Sequence, residues 1–118
     1  MKRLVEAEVF DDFLEQAQQL LSRRYFQAAA VIAGCVLEEG LRKLCIREGI
    51  PIEGKKKFDW MNSELAKKGI YDSYIKNKMS SLYGLRSNAA HARWKDSLSL
   101  HVEDMLAQVK SLKEEYFT

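Results

Sequence analysis

The chain has 118 residues, 47% of them hydrophobic and 31% charged, with one proline and a formal net charge of +2. This excludes a disordered chain, which combines low hydrophobicity with high net charge. It fits a single domain over residues 1–118, large enough to bury roughly two-thirds of its unfolded surface without a metal or disulfide staple.

The net charge is too small for the whole-chain field to mark a nucleic-acid binder. Local basic clusters at Arg23-Arg24, Lys55-Lys56-Lys57 and Lys67-Lys68 keep nucleic-acid contact open, but each reads first as solvated surface. Cys35 and Cys45 lie ten residues apart on one predicted helix. That is about 15 Å along the axis, too far for a disulfide between them. Buried, reduced thiols are expected, and with them a cytoplasmic location. Met1-Lys-Arg is followed by Glu6, Glu8, Asp11 and Asp12 and not by an apolar run, so no secretory signal is expected. Ala28–Leu37, the longest apolar stretch, contains a glycine and is too short to span a bilayer.

Helical periodicity dominates, and no segment alternates like a strand. The first helix is predicted from about Val5 to Ser22, with Val9, Phe10, Phe13, Leu14, Ala17, Leu20 and Leu21 as its stripe. The second, from about Tyr25 to Arg47, is apolar on more than one face. Phe26, Ala29, Ala30, Ala33, Leu37, Leu41 and Leu44 form one side, with Ile32, Cys35 and Val36 beside them. Such a helix is central or also forms a subunit interface. Its small residues, Gly34 among them, permit close approach of another helix. Gly49 and Pro51 end it.

After a loop over 49–57, a short third helix is predicted from about Phe58 to Lys68, carrying Trp60, Met61 and Leu65 and capped by Gly69. A turn follows, with Asp72 or Ser73 as N-cap. The fourth helix covers about Ser73 to Ala90, on a stripe of Ile75, Met79, Leu82 and Leu85. The fifth starts from N-cap candidates in Asp96–Ser99 and runs to about Tyr116, on Val102, Met105, Leu106, Val109 and Leu112. The fold class is therefore all-α: an up-and-down four-helix bundle with one short extra helix.

The segment that most invites chemistry is Arg86-Ser-Asn-Ala-Ala-His91. At about 100° per residue, with Arg86 at zero, Ala90 falls near 40°, Ser87 near 100° and His91 near 140°. Arg86 then flanks the core, His91 points away from it, and two small residues leave a notch between them. Histidine exchanges protons near neutral pH, and arginine offers a fork of donors suited to phosphate. The plainer alternative has His91 capping the fourth helix while Arg86 pairs with Glu38 or Glu39.

Arg86-Ser-Asn-Ala-Ala-His91 resembles the R-x4-H motif of the HEPN superfamily (higher eukaryotes and prokaryotes nucleotide-binding). Tyr25-Phe-Gln-Ala-Ala-Ala-Val-Ile-Ala-Gly-Cys-Val-Leu-Glu38 is similar to the long second helix of prokaryotic members, glutamate included. His91-Ala-Arg-Trp94 and a capped last helix follow the same plan, so the resemblance covers roughly Phe10 to Leu112. It implies a homodimeric helical bundle with a composite site at the interface, two Arg–His pairs facing each other. In active members it implies RNA cleavage without a metal or cofactor, giving a cyclic phosphate and a free 5′-hydroxyl.

On this resemblance His91 would transfer protons at the 2′-hydroxyl or the leaving oxygen, and Arg86 would stabilise charge developing on phosphorus. Ser87 and Asn88 would be polar support, and Glu38 would orient Arg86 or His91. Active members usually carry Asn, Asp or His directly after the arginine, where this chain has Ser87, with Asn88 one place later. The alternative expectation is a non-catalytic HEPN-like module that binds a nucleotide or a protein partner. A cognate antitoxin is among the partners this family implies, and no membrane is.

Other residues are less informative. His101 stands near Glu103 and Asp104, at a spacing that matches no metal cage. Trp60 and Trp94 could stack on bases or fill the core. Cys35 has no visible activating histidine. No Gly-rich phosphate loop is present.

Overall fold

The computed structural model describes residues 2–54, 57–90 and 98–118, with side chains at 8–54, 57–86 and 99–118. Among the described residues five helices form from the apolar stripes: α1 (Lys2–Ser22), α2 (Phe26–Arg47), α3 (Phe58–Lys67), α4 (Ser73–Ala90) and α5 (Leu98–Tyr116). There is no strand among the described residues. The first helix starts at Lys2 and not near Val5, and the other boundaries fall within a residue or two of the periodic pattern. The N-cap candidates at Asp96 and Ser97 lie outside the described residues.

Helix ends follow from local chemistry. After α2, the Ile50 N–H donates to the Cys45 carbonyl and the Gly49 N–H to the Ile46 carbonyl. After α3, Ile70 and Gly69 donate in the same way to Leu65 and Ala66. Both glycines sit at positive φ, as this terminator requires. The end of α1 uses the same pair of bonds, Tyr25 to Leu20 and Arg24 to Leu21, but the left-handed position is taken by Arg24 at φ 68°. At the start of α4, Asp72 Oδ1 accepts the Ile75 N–H at 2.9 Å, so Asp72 is the N-cap.

Helix α2 packs against each of the other four helices, α1, α3, α4 and α5. Ala29, Ala30, Ala33, Val36, Leu37, Leu41 and Leu44 are buried along it. Phe10, Leu14 and Ala17 reach the core from α1, Met61 and Leu65 from α3, and Met79 and Leu82 from α4. The whole stripe of α5, Val102, Met105, Leu106, Val109 and Leu112, is buried. The radius of gyration is 14.1 Å, close to the roughly 13.5 Å of a compact chain of this length.

Three expectations are corrected. Val9 and Phe13 are each 40% exposed, on a flank of α1 that nothing among the described residues covers fully. Cys35 is exposed and only Cys45 is buried, because α2 keeps one outward face beyond its four contacts. Trp60 is half-buried, packed against the edge of the core and not enclosed in it.

Two polar anchors tie the elements together. Asn62, 1% exposed, donates to the Lys76 carbonyl at 2.9 Å and to Ser80 Oγ at 3.0 Å, and accepts from the Tyr71 hydroxyl at 2.5 Å. This joins α3 to α4 and to the turn between them. Lys113 of α5, almost fully buried, pairs with Asp11 of α1 at 2.5 Å. At the C-terminus the ring of Phe117 seats against Gly40 of α2, and Arg47 donates to the carbonyls of Tyr116 and Thr118.

Candidate functional site

Gly34, Glu38 and Arg42 recur every four residues along α2 and so share one face. Tyr83 and Arg86, three apart on α4, share the face that meets it. At Gly34 the missing side chain is what admits Arg86. A Cβ there would lie 2.6 Å from Arg86 Cδ and 3.0 Å from its Cβ. The arginine stem therefore lies directly on the α2 backbone.

The polar ends converge above that contact. The Tyr83 hydroxyl donates to Glu38 Oε1 at 2.7 Å and accepts from Arg86 Nη1 at 2.5 Å. Arg86 Nη1 stands 3.7 Å from the same Glu38 oxygen. The other carboxylate oxygen, Oε2, stands 3.8 Å from Arg42 Nη2, and Arg42 Nε is 3.6 Å from Glu39 Oε1. The row runs Arg42, Glu38, Tyr83, Arg86, with Glu39 at its side. The Tyr83 ring lies flat on Phe58 of α3, with centroids 4.0 Å apart and planes 3° apart.

The energies are uneven. The ion pairs are long and about a third exposed, so each is worth less than about 1 kcal/mol. The two hydrogen bonds of Tyr83 are short and involve charged partners, which makes them the stronger links. Burial, reinforced by the bond to Glu38 and its charge, raises the Tyr83 pKa, while Arg86 pulls the other way. The hydroxyl thus stays protonated at neutral pH and keeps its donor role.

Of the residues singled out from sequence, Arg86 and Glu38 are brought together. Glu39 faces Arg42. Ser87 and Asn88 lie in the last turns of α4, and their side chains are outside the described set. His91 and Trp94 also lie outside the described residues. Sequence reasoning missed Tyr83 and Arg42. The available signal was spacing: Tyr83 precedes Arg86 by three residues, and Arg42 follows Glu38 by four.

Elsewhere, a cleft of about 390 Å³ runs between α1 and α5, lined by Asp11, Leu14, Glu15, Gln18, Leu106 and Lys110. Among the described residues no group of three or more His, Cys, Asp and Glu could hold a metal ion. None of their helices is long and apolar enough to cross a membrane. No family model, no curated protein and no solved structure matches this chain.

Proposed function

We propose that the chain is a HEPN-like domain, an up-and-down bundle of α1, α2, α4 and α5 with α3 as the short extra helix, that binds RNA or cleaves it without a metal. One observation carries this reading. Glu38 and Arg86 come from the two separate segments that resemble the family, and they meet across the α2–α4 contact with 38% of the Arg86 side chain exposed. An arginine so placed offers fixed positive charge to a phosphate from a partly desolvated position. His91, five residues on, would supply the proton transfer, with Ser87 and Asn88 as polar support.

The composite site would form in a homodimer. The outward face of α2 supports this: Ala28, Val31, Cys35, Glu39 and Ile46 follow helical spacing and are exposed. Pairing through a two-fold axis would put the same face on both subunits. The reading places the protein in the cytoplasm, with a cognate antitoxin as a further candidate partner.

A second reading is a non-catalytic module that binds a nucleotide or a protein. It is favoured by Ser87 standing directly after Arg86, and by Glu38 already balancing the arginine charge.

The test is incubation with labelled RNA in chelator, using wild type, His91→Ala and Arg86→Ala. Cleavage by wild type and by neither variant supports the nuclease. RNA retained but uncut by wild type supports the RNA-binding form of the first reading, and neither retention nor cleavage favours the second. Identical behaviour of all three proteins overturns the Arg–His site, and a monomer by light scattering at micromolar concentration overturns the composite geometry.

A further inference from the structure

We propose that Tyr83 is a positioning residue: its hydroxyl holds one end of the Arg86 guanidinium and keeps Glu38 from closing on it, so that the rest of the fork meets a phosphate group of the ligand. This rests on the reading that Arg86 contacts an anionic group, and it adds a residue and a mechanism that the R-x4-H motif lacks.

The hydrogen bonds have only one workable direction. Arginine can only donate and an ionised carboxylate can only accept. The Tyr83 hydroxyl therefore sends its proton to Glu38 Oε1 and takes Arg86 Nη1 on its lone pair. Among the described residues, both polar contacts of the guanidinium, the one with the Tyr83 hydroxyl and the one with Glu38, are made by Nη1, while its carbon stands 5.2 Å from the centre of the Tyr83 ring. Tyr83 has little freedom of its own, because its ring is stacked on the buried Phe58. The arginine stem is fixed as well, against Gly34. A side chain rich in rotamer freedom is thus ordered before any ligand arrives, which lowers the cost of binding.

The spacing of Glu38 completes the case. Its Oε1 stands 3.7 Å from Arg86 Nη1, whereas a charge-assisted contact closes to about 2.8 Å. The intervening hydroxyl, bonded to both, holds the pair at that distance. Without it, the carboxylate can draw the guanidinium into a two-pronged pair and use up the donors that a phosphate needs. Tyr83 is in this sense a spacer as well as a link.

Tyr83→Phe keeps the ring and its stack and removes only the hydroxyl. Inorganic pyrophosphate is the probe, titrated into the full chain and followed through the Arg86 Nε–Hε resonance and by calorimetry. We expect Tyr83→Phe to lower pyrophosphate affinity by about tenfold, and to shift the Arg86 resonance in the ligand-free protein.

Glu38→Gln removes the competing charge. It should raise affinity far more in the Tyr83→Phe background than in wild type, because only there does the carboxylate reach the arginine. An equal effect of Glu38→Gln in both backgrounds overturns the spacer role. Lost affinity in Arg86→Ala with unchanged affinity in Tyr83→Phe overturns the assignment to Tyr83 alone. Unchanged affinity in both overturns it together with the reading of Arg86 as an anion contact. RNA cleavage does not enter any of these readouts.

Discussion

Adding one methyl group to Gly34 should destabilise the protein, although the same change in an open helix stabilises it. Replacing glycine by alanine inside a helix is worth about 1 kcal/mol. Here the new carbon would stand 2.6 Å from Arg86 Cδ, 3.0 Å from its Cβ and 3.1 Å from its Cγ. Carbon atoms pack at about 3.5–4.0 Å. The Cδ end can swing aside, but the Cβ is anchored to α4, so the helices must also part by several tenths of an ångström. Overpacking of this kind costs about 1–3 kcal/mol. Moving Cδ aside also strains the bond from Nη1 to Tyr83, worth about 1.5 kcal/mol or more with a charged donor.

The net for Gly34→Ala is a loss of about 2 kcal/mol, the sum of these costs less the helix gain. Urea unfolding of wild type, Gly34→Ala, Arg86→Ala and the double variant measures it as a cycle. In the Arg86→Ala background two of the three obstructing atoms are gone, and Gly34→Ala should become neutral or stabilising. If Gly34→Ala stabilises the wild type by about 1 kcal/mol, the close seat of Arg86 on α2 is refuted.

Gly40→Ala should behave similarly against the Phe117 ring, whose Cζ, Cδ2 and Cε2 are the atoms a Cβ would meet. Expelling a ring that is buried and packed near Phe10 costs about 2–3 kcal/mol in a chemical melt. The substitution should turn stabilising once Phe117 is Ala, and a loss of equal size in both backgrounds would show that the ring is not the obstacle. Asn62→Ala strands the Tyr71 hydroxyl and removes both bonds from α3 to α4, so unfolding free energy should drop by about 3 kcal/mol; a drop under about 1 kcal/mol would mean that the hydroxyl finds another partner.

Alkaline pH supplies a further check. Burial raises the pKa of Tyr71, Tyr83 and Tyr116 above their ordinary value of 10.0, so the folded chain holds these protons more tightly than the unfolded one. That contribution is complete below about pH 10 and is lost as pH climbs above it. Urea midpoints should therefore fall between about pH 10 and 11, less steeply in Tyr71→Phe. A flat profile would contradict the burial.

The helices were legible because their signals are local. Gly49, Gly69 and Asp72 mark ends by what their own backbone or side chain can do, and the α5 stripe is buried residue for residue. Arg24 shows the limit of such signals: it takes a position that favours glycine, and nothing in its identity announces this.

The site was legible only in its parts. Glu38 and Arg86 stood out singly, but their link is Tyr83, 45 residues from Glu38, and such a pairing leaves no trace in periodicity. The same holds for Lys113 and Asp11, near opposite ends of the chain. Val9, Phe13 and Cys35 failed as core residues for another reason. Periodicity reports which face is apolar, not whether a neighbour covers it.

Because α2 touches every other helix, it cannot open by itself. Its amide protons should exchange only when the whole chain unfolds, while helix ends exchange by local fraying. Gly34, Glu38 and Arg42 all sit on that helix, so the seat for Arg86 inherits the free energy of the entire fold. A damaging substitution far from it, such as one at Phe117, would then lower the number of molecules with an intact seat while leaving each intact seat unchanged. In a pyrophosphate titration such a variant should resemble a smaller amount of wild-type protein.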